Sequence, residues 1–326
     1  MREISIEANN ETGEAPRLTF CAYGPTRSGK TTFAGSFPRP AFLSDVTESG
    51  YTSLVGMSDE HLFEPGVQPI VLGIEKMNDM AVAQSVLEPF IRARMVQTIV
   101  VDSLTFYADL YLTYLFDLQG PNANNLKAYG ALGQHLRSLR VKWHQMGCNV
   151  VWLCLPSDPN EDQPNGLPMI PGNERGKFGA SCDYLLYLRH DRFKQGNEMT
   201  DRYEMHSQPF GKYLAGVRRS DGVPEIPSPL CGMTYAKLLQ YMGYDPDATR
   251  AVLPAYVRPK IVIPSAPTPP VASTNAAPAA SNPKPPAPVK PSAAALARPA
   301  ARPAVPTNSP NVSRRPAVPA GRGTNS

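Results

Sequence analysis

Apolar residues in this chain gather in short unbroken runs, not in alternating ones. RLTFCAYG (17–24), AFLSDV (41–46), PIVLGI (69–74), QTIVVDS (97–103) and NVVWLCL (149–155) are such runs. A strand covered on one face alternates apolar with polar residues, whereas one covered on both faces does not. Helical periodicity fills the spaces between: NDMAVAQSVLEPFIRAR (78–94), opening on an Asn cap, then TFYADLYLTYLFDL (105–118) and ALGQHLRSLRVKWHQMG (131–147). DYLLYLRHD (183–191), RYEMHSQ (202–208) and KYLAGVRR (212–219) read as further strands, and YAKLLQYMG (235–243) as a last helix. Strands alternating with helices predict an α/β fold with a mainly parallel sheet, right-handed crossovers and helices on its faces.

The pattern stops near residue 245, and composition explains why. Residues 251–326 hold 18 of the 36 prolines, nine Lys or Arg and no Asp or Glu. The formal charge of +4 therefore conceals a body at −5 and a tail at +9. A segment this poor in large apolar residues cannot offset the entropy of ordering, so a disordered, polyproline-rich tail is expected. The expected division is an N-terminal extension (1–16), one α/β domain (17–245) and a basic Pro/Ala-rich tail (246–326). The five cysteines have no C-x-x-C spacing and read as free thiols. The first residues lack an apolar leader core, and no apolar run is long enough to span a membrane. A cytoplasmic protein of a reducing compartment is the expectation.

Between the first strand and the next apolar segment stands GPTRSGKTTF (24–33). It fits G-x-x-x-x-G-K-[ST], with Gly24, Gly29, Lys30 and Thr31 at the fixed positions and Pro25, Thr26, Arg27 and Ser28 between the glycines. Glycines let backbone N–H groups turn inward around a phosphate, and a helix beginning near Lys30 would add its positive end. Lys30 would reach the outer phosphates of ATP, the Thr31 hydroxyl would ligate Mg²⁺, and Thr32 would close the cradle. Asp102, at the end of TIVVD, is the candidate for the carboxylate that holds the metal. Ser103 follows it, where many ATPases place a catalytic Glu, so the water-activating carboxylate has to come from elsewhere. Glu48 and Asp45, after the second strand, are the two candidates, and the spacing leaves both open.

GPTRSGKTTF, TIVVDSLT, AYGALGQHLRSLRVKWHQMGCNVVWLCLP, GKFGASCDYLLYLRHD and KYLAGVRRSDG together resemble phage-encoded P-loop ATPases with a RecA-like core, including the Sak-type single-strand annealing proteins. The likeness covers residues 17–245. It implies a RecA-like P-loop NTPase fold, Mg-dependent ATP hydrolysis, and action on single-stranded DNA in recombination or replication. It also implies a homo-oligomer with ATP at subunit interfaces, completed by a basic residue of the neighbour, for which Arg218, Arg219 and Lys212 are the candidates. Relatives often carry a polar sensor after the strand at 149–155; here Ser157 would have to serve. Loops of such proteins near 157–181 touch DNA, which singles out Arg175 and Lys177. The tail, with nine cations, suits sequence-independent contact with nucleic acid or an acidic partner, such as a recombination or replication protein. A small-molecule kinase would need an arginine-rich lid that this sequence lacks. A nucleotide-gated binding protein with little hydrolysis is the other alternative.

Overall fold

A computed structural model describes residues 15–48, 50–120, 124–161, 163–172, 174–195, 198–218 and 225–263. The chain forms β1 (Thr19–Tyr23), α1 (Lys30–Gly35), β2 (Pro40–Asp45), β3 (Ile70–Ile74), α2 (Met77–Arg92), β4 (Thr98–Asp102), α3 (Leu104–Gln119), α4 (Asn125–Gln145) and β5 (Asn149–Cys154). There follow β6 (Pro156–Ser157), β7 (Leu167–Pro168), α5 (Glu174–Phe178), β8 (Tyr184–Gln195), β9 (Glu198–His206), β10 (Gly216–Val217), β11 (Leu230–Cys231), α6 (Tyr235–Tyr241) and α7 (Pro246–Ala251). The main sheet runs β11-β9-β8-β1-β5-β4-β2-β3, with β10 also paired to β8. From β8 to β3 every pairing is parallel, and β9, β10 and β11 are antiparallel additions.

The unbroken apolar runs are accounted for by two cores, one on each face. Cys21 and Tyr23, with Val150, Trp152 and Cys154, face a layer built by α2, α3 and α4. Phe20 and Ala22, with Val151 and Leu153, face α1, α6 and the segment around Leu54–Phe63. Tyr235 is the hub of the second core, its ring meeting Phe20, Phe37 and Phe63 at centroid distances of 6.4, 4.5 and 5.4 Å. One run departs from the expectation. β3 is an edge strand whose Ile70, Leu72 and Ile74 are buried while Val71 and Gly73 are exposed.

Four other expectations need correcting. Asn78 does not cap α2; the Asp79 carboxylate accepts the N–H groups of Glu75 and Lys76 at 2.9 and 2.8 Å. Lys76 is the N-cap, and the charged Asp79 carboxylate at the third helical position reaches back to its N–H, as in a capping box. α4 starts at Asn125, capped by Asn124, which accepts Lys127 N–H at 3.1 Å. Gly130, a poor helix former, interrupts the pattern between that first turn and the helix read from residue 131. Among the described residues of the strand expected at 212–219, only Gly216–Val217 pairs with β8, and Tyr213 stacks on Tyr187 at 4.3 Å.

The fourth concerns the boundary at 245/246, which falls inside the compact unit. That unit extends through the last described residue, Ile263. α7 and the segment after it are docked: Arg39 donates to the Pro254 carbonyl at 2.6 Å and sits 5.2 Å from the Tyr256 ring centroid, and Ile261 packs on the first core. The buried Arg39 guanidinium, paired with Glu64 at 2.7 Å, thus organises a segment that composition assigned to the tail. Residues 1–14 and 264–326 lie outside the described residues. No helix among the described residues is long and apolar enough to cross a membrane.

Candidate nucleotide site

The P-loop grows directly out of the sheet. β1 ends at Tyr23, and Gly24 N–H donates to the Cys154 carbonyl of β5 at 3.2 Å. A Cβ at Gly24 would lie 1.9 Å from the Leu188 carbonyl oxygen, so only glycine fits between β5 and β8. Arg27 and Gly29 take positive φ values of 62° and 87°, which turn the loop back on itself. Gly24→Ala would force the backbone apart, and we expect a loss of about 3 kcal/mol. Calorimetry should show this as a Tm fall on the order of 10 °C; an unchanged Tm would refute the packing described.

Gly29 is the N-cap of α1, which has only six residues. Gly35 abuts Met57 and Leu54 with no room for a side chain, and Pro38 follows shortly after. So short a helix carries little aligned dipole. The positive charge of the loop comes instead from Lys30. Its buried ammonium donates to the Gly24 and Pro25 carbonyls at 2.8 and 2.7 Å and reaches Ser28 Oγ at 3.5 Å. All three partners are neutral oxygens, and burial lowers the Lys30 pKa despite Asp102, Cys154 and Glu48 nearby. A buried cation without a paired anion is costly, and phosphate oxygens are what this one fits.

Beside it, Thr31 Oγ1 donates to Asp102 Oδ2 at 2.9 Å. A Cβ at Gly50 would lie 3.4 Å from that carboxylate oxygen and 3.5 Å from the hydroxyl, so the segment after β2 approaches the pair closely. A hydroxyl and a carboxylate held together supply two of the hard oxygen donors that Mg²⁺ prefers. Thr31 and Asp102 would hold it. Burial raises the Asp102 pKa, with the Thr31 hydrogen bond and Lys30 opposing. The folded protein therefore holds that proton more tightly than the unfolded chain does, and metal-free stability is lost as pH rises through the raised pKa. Asp102→Asn should consequently melt higher than wild type at pH 7 in chelator. The gap should close as pH falls into the ordinary carboxylate range near 4. A melting series across pH checks this; a lower Tm for Asp102→Asn at pH 7 would contradict it.

Glu48 is half-buried on the same cavity as Lys30, Thr31, Asp102 and Ser103. Its pKa is raised, first by burial and then by Asp102 and Asp45, while Ser103 partly offsets this through its backbone N–H and its facing hydroxyl. That hydroxyl is buried and makes no hydrogen bond of normal geometry. β2 lies beside β4 with Ser44 opposite Asp102, and this pairing is what delivers the Glu48 turn to the site. The cavity holds about 1080 Å³ and continues past the P-loop to Tyr203, Met205, Leu230 and Met233.

A family model described as an AAA domain matches residues 17–213, more than half of the chain. The chain belongs to that AAA-domain family. No curated protein matches it. The family is one of P-loop, nucleotide-binding ATPases, in keeping with Gly24–Thr32 lying where a strand meets a helix.

Not every residue singled out in the sequence reaches the cavity of this AAA-domain protein. Asp45 borders a smaller cavity with Ser103 and Tyr107, and its Oδ1 is occupied by Thr47 N–H at 2.7 Å and the Thr47 hydroxyl. Ser157 is not at the site either: its hydroxyl donates to the Leu167 carbonyl at 3.0 Å, pinning β6 to β7. Arg218 sits at the amino end of β8, where its N–H donates to the Asp183 carbonyl at 2.8 Å. Its guanidinium bonds the Ala180 carbonyl and lies 3.8 Å from Asp183. P-loops leave a parallel sheet at the carboxyl ends of its strands, so Arg218 is at the opposite edge from its own cavity. Lys212 is exposed and absent from the lining, Arg175 and Lys177 lie on α5, and Arg219 falls outside the described residues.

The far wall of the cavity is formed by residues that no sequence motif marks. Tyr203 and Met205 come from β9 and Leu230 from β11, with Met233 just beyond it. Glu204 lies between them, 7% exposed, with one oxygen held by Arg189 Nε and the other by Arg202 Nε, both at 2.8 Å. RYEMHSQ offered only a strand pattern, and no motif marks a strand that reaches the P-loop through tertiary pairing.

Proposed function

We propose that this AAA-domain chain is a Mg-dependent ATPase with RecA-like chemistry that acts on single-stranded DNA in phage recombination or replication, in the manner of the Sak-type group it resembles. The observation that carries the ATPase reading is the convergence on one cavity of Lys30, the Thr31–Asp102 pair and Glu48. Bound Mg²⁺ would neutralise phosphate charge and tighten the geometry around the Thr31 and Asp102 oxygens. Lys30 binds and orients the outer phosphates. Glu48, whose pKa is raised by burial and by the neighbouring Asp102 and Asp45, is a stronger base than an ordinary carboxylate and is suited to take a proton from water. Glu48 comes from the turn after β2, and Ser103 follows Asp102; both features favour RecA-like chemistry over a Glu placed directly after the metal-binding Asp.

The DNA and partner assignments rest on the resemblance and on the +9 tail. A homo-oligomer is part of the same reading, since no described residue of the chain brings an arginine from outside the P-loop into the cavity lining. Arg218, with Arg219 beside it, would then serve a neighbour's site. A host-cytoplasmic location follows from phage origin.

Turnover of ATP measured with and without single-stranded DNA tests the proposal. Stimulation by DNA of about tenfold, steeply reduced by added salt, is the expected result. Tight ATP binding without turnover would favour a nucleotide-gated binding protein. Phosphoryl transfer to a metabolite, indifferent to DNA, would favour a kinase.

A further inference from the structure

The cavity is longer than a triphosphate needs, and its two ends differ in chemistry. One end carries Lys30, Asp102, Ser103 and Glu48; the other is walled by Tyr203, Met205, Leu230 and Met233. The second wall is built by strand pairing: β9 and β11 are antiparallel, with Leu230 opposite Met205. β8 and β9 continue beyond the four residues of β8 that pair with β1. That continuation brings Tyr203 over the P-loop, close enough that a Cβ at Gly29 would lie 3.3 Å from Tyr203 Cδ1.

Tyr203 is 48% exposed although it lines the cavity. Its ring is braced on one side by His190, stacked at 4.6 Å and 15°, and His190 is fixed in turn by Asp201 at 3.0 Å. An exposed aromatic ring held rigid over a phosphate-binding loop loses little entropy when a flat ligand packs beside it. Met205, 2% exposed, and Leu230, 8% exposed, back this wall with apolar surface, and Met233 supplies an adaptable edge.

We propose that Tyr203, Met205, Leu230 and Met233 form the slot for the nucleobase, read by stacking and shape and not by hydrogen bonds to the base edge. The proposal rests on the ATPase reading of the same cavity and adds what that reading leaves open. Glu204 is the carboxylate of this wall, and both its oxygens are taken by Arg189 and Arg202. A guanine edge, which presents two adjacent donors, therefore gains no free carboxylate acceptor here.

Titration calorimetry with magnesium and either ATP, GTP or inorganic tripolyphosphate separates the two readings. Wild type should bind tripolyphosphate measurably and ATP about tenfold or more tighter, since stacking a base on an aromatic side chain has an effect of that size. GTP should bind no tighter than ATP. Tyr203→Ala should lose most of the advantage of ATP over tripolyphosphate, and Tyr203→Phe should keep it. Equal affinity of wild type for ATP and tripolyphosphate would overturn the slot while leaving the P-loop reading intact. So would a Tyr203→Ala loss shared equally by both ligands, which would make Tyr203 a brace for the loop. Failure of tripolyphosphate and ATP alike to bind would overturn the P-loop reading itself.

Discussion

Replacing Lys30 with Met should lower ATP turnover by about 10²–10³-fold, the range seen when one pre-organised charge-stabilising donor is removed. The same substitution should leave the metal-free protein as heat-stable as wild type, or slightly more so. These two expectations come from one observation. The Lys30 ammonium is buried, its partners are the neutral Gly24, Pro25 and Ser28 oxygens, and burial lowers its pKa. Without an anion, its charge is a burden on the fold, and a Met of similar length removes that burden while filling the space. With an anion present, the same charge is the main source of phosphate affinity. Nucleotide should therefore raise the Tm of wild type clearly and that of Lys30→Met hardly at all. Normal turnover by Lys30→Met would end the P-loop assignment. A large loss of metal-free stability would instead mean that the ammonium is structural.

Glu48→Gln should reduce turnover by about 10²-fold or more, in line with the loss of a positioned general base, with ATP binding preserved. Asp45→Asn should change turnover by less than about threefold, because Asp45 is spent on the Thr47 turn and faces a different cavity. The pH profile gives a sharper discriminator. Burial and the neighbouring Asp102 and Asp45 raise the Glu48 pKa, so the carboxylate needed as a base appears only as pH climbs above the ordinary carboxylate range. The rate should accordingly rise with pH on the acidic side, and that limb should vanish from the residual rate of Glu48→Gln. Full activity in Glu48→Gln, or an acid limb that survives in it, would move the role to another group.

The sequence by itself determined the elements whose cause is local. Unbroken apolar runs marked β1, β4 and β5, because strands covered on both faces have no polar side to show. GPTRSGKTTF and the Asp ending TIVVD were legible because glycines, a lysine and a hydroxyl at fixed spacing serve a need of the loop itself. Where composition alone was used it failed at 246–263, since Arg39, some 200 residues earlier, docks Pro254 and Tyr256 through contacts that no local pattern announces. Tertiary structure decided the rest of the candidate site. Strand order set Ser44 beside Asp102, and so brought Glu48 rather than Asp45 to the cavity. Antiparallel pairing of β8, β9 and β11 carried Tyr203 to the P-loop from 170 residues away. Cavities are made by segments distant in sequence, so residues chosen by a motif were readable in advance, while those chosen by strand pairing became visible only once the sheet was assembled.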